Sequence, residues 1–290
     1  MNRTPQIILM VVFISLFFTS SITGKLDAMS WPSVNAVLIR NFGLNDNGRP
    51  FLGMQFSGGT EILAAEQGEV IFSRNRNDTA SRLPSPLGAW TAVDHGDGLI
   101  SIYSRYADES VSLKQVEKSQ PMAVSGISGW SERNGFYFIV FDRRERQWIN
   151  PAMIVTPVQR NRPPQILSID FKNTQGLVLQ SRNLVQGRYT VLVNTGSPAI
   201  NQGYLLAPQK IVCSVNGTEA GSLNFEAFSA RDGVLMVYRN GLVPAGQIYS
   251  AFPAFEAAEV FLTRGQANLE IIVQDVAGSS NTLVTRLIVN

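Results

Sequence analysis

Apolar and polar positions alternate from Trp31 to Gly43, as they do in a half-buried strand. A polar loop, Leu44 to Pro50, follows. Ile62 to Phe72 then predicts two strands with Gly68 turning between them. After a polar stretch, 73–88, with Pro84 and Pro86, the segment Trp90 to Tyr106 predicts a hairpin closed by Gly96-Asp97-Gly98. Two short strands are predicted within Val111 to Trp130, and a longer one within Gly135 to Asp142. Pro157 to Pro164 carries enough proline to predict an extended linker. Beyond it, alternating segments recur at Ile166–Phe171, Arg188–Asn194, Lys210–Val215, Gly233–Tyr238, Asn268–Asp275 and Thr282–Val289. Turn pairs such as Asn216-Gly217 and Asn240-Gly241 punctuate them, as in an antiparallel sandwich. The pattern therefore predicts an all-β protein: one domain at 31–156, a linker at 157–164, and a β-sandwich at 165–290.

The opening of the chain departs from this pattern. Arg3 precedes an apolar run, Ile7 to Phe18, which gives way to small residues from Thr19 to Gly24. That run is short for a bilayer span and predicts a secretory signal peptide at 1–24, the alternative being an uncleaved anchor. No Cys lies near its exit. The single Cys213 stands among Ile211, Val212 and Val215, so it reads as a buried, inert thiol. A net charge of +2 with 16% charged residues gives no field for nucleic acid.

Candidate chemistry concentrates between Phe51 and Pro151. The segment Phe51-Leu52-Gly53-Met54-Gln55, the Asp94-His95-Gly96-Asp97-Gly98 turn, Tyr103-Ser104-Arg105 and the closing Asn150-Pro151 together resemble the lysostaphin-like (LytM-type) zinc endopeptidases of bacterial peptidoglycan. The resemblance implies a LytM-type β-sheet domain. Within it, Phe51 stands at the first zinc-binding His, Gln55 at the zinc-binding Asp, and Arg105 at a catalytic His. Tyr137 and Ile139 occupy the His-x-His positions, and Tyr103 is retained. The closing Asp275-Val276-Ala277-Gly278 resembles the end of bacterial immunoglobulin-like modules.

These replacements remove the donors that the family's chemistry requires. Phe51 and Ile139 have no side-chain donor atom, Gln55 offers only a neutral amide, and Arg105 is a permanent cation. No metal, no cofactor and no catalytic residue are expected. The single His95 is expected to be structural, Asp142 to Arg146 to be a solvated hairpin tip, and Trp130 and Trp148 to cover core edges. The resemblance then implies an exported, non-catalytic protein of the bacterial periplasm or outer envelope. Its groove, walled by Phe51, Gln55, Tyr103, Arg105, Tyr137 and Ile139, would bind a cell-wall hydrolase such as an amidase. A peptidoglycan-binding or scaffolding module is the alternative, and an active metallo-endopeptidase a third reading. The membrane would be a partner only through an uncleaved N-terminal segment.

Overall fold

The computed structural model describes residues 28–75, 85–107, 113–130, 133–156, 163–198, 205–249 and 254–290. The predicted signal peptide, most of the linker and most of the 73–88 loop lie outside them. Among the described residues there is no α-helix, and the fold is all-β. The first domain contains β1 (Leu38–Arg40), β2 (Met54–Ser57), β3 (Glu61–Leu63), β4 (Gly68–Arg74) and β5 (Trp90–Asp94). It continues with β6 (Leu99–Ser104), β7 (Gln115–Val116), β8 (Pro121–Val124), β9 (Gly135–Asp142) and β10 (Gln147–Ile149). The second contains β11 (Gln165–Asn173), β12 (Val178–Leu179), β13 (Asn183–Leu184), β14 (Gly187–Pro198), β15 (Leu205–Leu206) and β16 (Lys210–Val215). After these come β17 (Thr218–Arg231), β18 (Val234–Arg239), β19 (Leu242–Pro244), β20 (Ala254–Leu262), β21 (Gly265–Gln274) and β22 (Ser280–Val289).

In the first domain, β4, β5, β6, β9 and β2 pair antiparallel in that spatial order, with β5 and β6 forming the expected hairpin. Strand alternation then divides the side chains between two faces. Met54, Phe56, Tyr103, Phe136, Phe138 and Val140 point into one core and are at most 1% exposed. Gln55, Ile102, Tyr137 and Ile139 alternate with them and face the other way. Two expectations fail here. β3 and β4 do not pair with each other, because β3 pairs β8 and β4 pairs β5 and β7. Gly68 is the first residue of β4 rather than a turn, and a Cβ there would meet the Asp94 carbonyl oxygen at 2.5 Å. Of the predicted 31–43 strand only Leu38–Arg40 is regular, since the residues after it leave the sheet for the neighbouring core.

The second domain packs β12-β11-β14-β20 against β22-β21-β16-β17. Sequence reading anticipates six of its strands but not β17 or β20. Both are rich in Ala and Glu, which carry weak strand preference; their packing between neighbours decides their state. β17 is also the joint of the molecule. It pairs β16 and β18 on its own side and β10 of the first domain, with Trp148 opposite Phe228, so one sheet runs through both domains.

The two domains are also joined through their cores. Phe42 and Leu44, from the first domain's leading segment, lie in the second domain's core beside Phe225 and Phe228. Burial of these two side chains stabilises the union by about 3–6 kcal/mol, at about 1.5–3 kcal/mol each. The buried Asn41 side chain donates to the Ala207 carbonyl and accepts from the Ala207 N–H, both at 2.8 Å. Tyr249 donates its hydroxyl to the Gly43 carbonyl at 2.8 Å.

His95 is held at the first domain's edge. Its Nδ1 lies 2.7 Å from the Gln67 carbonyl, which can only accept, and Nε2 lies 2.7 Å from Ser101 Oγ. Burial pushes its pKa below the ordinary 6.5, outweighing the Gln67 hydrogen bond and the nearby Glu66 and Asp94.

Asn41→Ala should lower stability by about 2–4 kcal/mol in urea unfolding, because it strands a buried donor and a buried acceptor. An unchanged midpoint would mean that the domains are not coupled there. His95, as the single imidazole, should give one NMR titration with its midpoint below 6.5. The folded state then binds fewer protons than the unfolded chain, so this residue's contribution is present above the unfolded value. It is lost as pH falls from there to the folded value. A midpoint at or above 6.5 would contradict the assignment.

Candidate functional site

The outward face of the first domain's sheet carries the residues that the sequence singles out. Gln55 on β2 is directly opposite Tyr137 on β9, and Ile139 is opposite Ile102 on β6. Phe51 precedes β2 in an extended segment tied back by its N–H to the Leu44 carbonyl at 2.8 Å. Gly53 lets that segment pass, since a Cβ there would meet the Phe138 carbonyl oxygen at 2.6 Å and Ile139 Cγ1 at 2.7 Å. The retained glycine is therefore explained by packing alone.

Arg105 follows β6 in the left-handed region, at φ 69°, and is 7% exposed. Its backbone N–H donates to the Ala89 carbonyl at 2.8 Å, and its carbonyl accepts from Gly126 at 2.7 Å. These bonds turn the side chain over the sheet, where its guanidinium carbon lies 3.7 Å from the Tyr137 ring centroid. Nη2 also donates to the Trp130 carbonyl at 3.4 Å. That carbonyl is positioned by a crossing of two loops in which Ala89 N–H donates to Ser128 Oγ and Trp130 N–H to the Pro86 carbonyl. Burial lowers the Arg105 pKa, Tyr137 opposes the shift, and Arg40 adds to it. Even lowered, a guanidinium stays protonated at neutral pH.

The stack continues beyond Tyr137. Phe51 meets its ring edge-to-face, with centroids 5.2 Å apart, and Arg40 covers Phe51 at 4.6 Å. Arg40 is in turn bridged to Asp46 at 2.7 Å. The order along the face is thus Arg105, Tyr137, Phe51, Arg40, Asp46. Each guanidinium over a ring contributes about 0.5–2 kcal/mol and the ring pair about 0.5–1.5 kcal/mol.

Of the six sequence candidates, Phe51, Gln55, Arg105, Tyr137 and Ile139 share this face. Tyr103 does not. It is neighbour to Ile102 on a strand, so it points to the opposite side, and it is 0% exposed in the core. Its hydroxyl accepts from the Ala65 N–H at 2.7 Å and lies 3.0 Å from Ser101 Oγ, and burial pushes its pKa up to about 12. Tyr103 is a structural core residue, not a groove wall. Trp130 also departs from expectation, being 71% exposed, whereas Trp148 packs on Phe141 and the second core. Asp142 to Arg146 form a hairpin tip in which Asp142 accepts from the N–H groups of Arg144 and Glu145. Arg40 is the site residue that sequence reading missed. Its place depends on the pairing of β1 with β2, which brings it opposite Gln55, and no local pattern announces that register.

The residues present do not fit a zinc ion. Two rings in contact and a guanidinium on the outer ring occupy the positions where ligands would converge, and none of the five can supply a strong donor. Among the described residues, no group of three or more His, Cys, Asp or Glu side chains is placed to hold a metal.

Residues 52–151 match the family model described as Peptidase family M23, and residues 163–290 match a second family model. The murein hydrolase activator EnvC of Escherichia coli (strain K12) is 36% identical over 96 residues, covering 33% of this chain and 20% of that protein. The chain thus spans about a fifth of the length of that curated relative. Among solved structures, a zinc-containing peptidase from Vibrio cholerae is 20% identical, covering 43% of this chain and 39% of that one, with a TM-score of 0.36. The antimicrobial peptidase lysostaphin from Staphylococcus simulans is 15% identical over 81% of this chain and 99% of that one, with a TM-score of 0.33. Residues 52–151 thus match Peptidase family M23, and a β-sheet domain that matches a second family model follows at 163–290.

Proposed function

We propose that this chain is an exported, non-catalytic protein of the bacterial periplasm or outer cell envelope, whose M23-like domain regulates a cell-wall hydrolase by binding it. The observation that supports this reading is the Arg105–Tyr137–Phe51–Arg40 stack, which packs rings and cations at positions that the resemblance assigns to the reactive centre. Peptide hydrolysis of the M23 type needs a water deprotonated on a Lewis acid and a base to manage protons. Here the matching positions hold hydrocarbon, a neutral amide and a permanent cation. What is left is a shaped face with half-buried aromatic rings and the partly exposed Arg40 guanidinium, a composition suited to protein contacts. Similarity to a murein hydrolase activator supports a murein hydrolase as the partner, and an amidase is the class that the resemblance implies.

Purified protein added to an envelope amidase and sacculi should raise the rate of amide cleavage, while the protein alone releases no muropeptides. Tyr137→Leu keeps the strand but removes one ring pair and one cation–π contact. It should abolish the stimulation and lower stability by about 1–3 kcal/mol. Release of muropeptides by the protein alone, or an amidase rate unaffected by its addition, would reject the proposal.

A further inference from the structure

The second domain ends on an open edge. β22 pairs β21 along its whole length, but on its other side β13 lies beside it only at Ile288 and Val289. Among the described residues no strand covers the stretch from Ser280 to Leu287. Ile288 donates its N–H outward to the Arg182 carbonyl, and Asn290 donates to the Leu184 carbonyl. Alternation then turns the N–H and C=O groups of Ser280, Thr282, Val284 and Arg286 to the same open side. A long bare edge is a liability that folds blunt with proline, a bulge or several charges. β22 has no proline, its register with β21 runs without a break, and Arg286 is its one charged residue.

Side chains along this edge are unfinished on both faces of the strand. Leu283 lies opposite Ile271, which is 0% exposed, yet Leu283 on the bare edge is itself 37% exposed. On the same face Thr285 is buried, and its Oγ1 has no hydrogen-bond partner among the described residues. On the other face Val284 is 61% exposed.

We infer that β22 pairs antiparallel with β22 of a second copy of this chain, about a two-fold axis at Leu283. The register follows from the edge itself. Hydrogen bonds have to join the even-numbered residues, whose backbone groups face out. An axis at Val284 would put Ser280 opposite Ile288, where β13 lies. An axis at Leu283 puts Ser280 opposite Arg286 and Thr282 opposite Val284, and the turn from Asp275 to Ser279 leads the chain back to β21 before β13 is reached. It is the longest ladder that clears β13. Leu283 then meets Leu283 of the second copy in a non-hydrogen-bonded pair, where side chains lie closest. Asn281 of one copy meets Thr285 of the other, which brings an amide donor beside the unpartnered Oγ1. The two Arg286 side chains stand roughly 20 Å apart, so like charges do not meet. The edge thus supplies its own cover, its own missing donor and no repulsion, which favours a second copy over an unrelated strand. This pairing goes beyond the hydrolase-binding role and uses no residue of the first domain's outward face.

Sedimentation velocity of the full chain should show the mass doubling as concentration rises, because so short a ladder makes a weak dimer. Val284→Pro removes an N–H that the pairing with β21 does not use, and the two-fold axis counts the loss twice. It should weaken self-association about tenfold or more, with the β-sheet circular dichroism unchanged. Phe261→Lys, at an exposed residue of β20, should leave self-association unaltered. Under mild oxidation Leu283→Cys should give a covalent dimer, since directly opposed, non-hydrogen-bonded residues come close enough for a disulfide. Val284→Cys, offset across the axis, should give far less, and the buried Cys213 of the unaltered chain none. A single-chain mass at every concentration, doubling that survives Val284→Pro, or equal cross-linking of the two cysteine variants would each overturn the inference. A single-chain mass together with loss of hydrolase binding in Val284→Pro would assign the edge to the hydrolase and overturn it as well.

Discussion

A guanidinium lying flat on a phenol ring fixes the character of this molecule's outward face. Arg105 reaches Tyr137 only because its backbone takes up a left-handed conformation after β6, an arrangement that costs about 1 kcal/mol or more for a non-glycine residue. Surrounding structure has to over-determine it. The Ala89 and Gly126 hydrogen bonds hold the backbone, and the Trp130 carbonyl and the Tyr137 ring hold the side chain. Once that cation is in place, a second cation is disfavoured nearby, and such repulsion is already felt where Arg40 lowers the Arg105 pKa. A metal ion would meet the same repulsion without the carboxylate or imidazole donors that normally overcome it.

The stack is braced from behind by the second domain. Phe51 and Leu52 pack against the second core, while Phe42 and Leu44 belong to it outright. The β10–β17 pairing then carries a single sheet from one domain into the other, so the groove wall cannot shift without disturbing two cores. An immunoglobulin-like module joined by a flexible tether would have left the groove to the first domain alone. Here the second domain supplies part of its support.

Much of this was legible in the sequence where the determinant is local. The β5–β6 hairpin follows from glycines on either side of Asp97, and all three residues take positive φ. Asn216-Gly217 and Asn240-Gly241 form two-residue connections between paired strands, as their chemistry requires. That Phe51 and Ile139 carry no metal-donor atom can be read from residue identity. What stayed hidden was non-local. The motif points Tyr103 to the groove, although strand alternation puts it on the opposite side from Ile102. β17 and β20 have helix-like composition and become strands through their neighbours. The fusion of the domains depends on Asn41, Phe42 and Leu44 finding partners more than 150 residues away, such as Ala207.

Packing of rings and guanidiniums takes the place of metal coordination at the positions to which the sequence resemblance points. Its most direct measure is the zinc content of the folded chain, by elemental mass spectrometry after equilibration with zinc and removal of free metal. The account predicts far less than one zinc per chain, unchanged in Gln55→Ala. One zinc per chain, lost in Gln55→Ala, would contradict it.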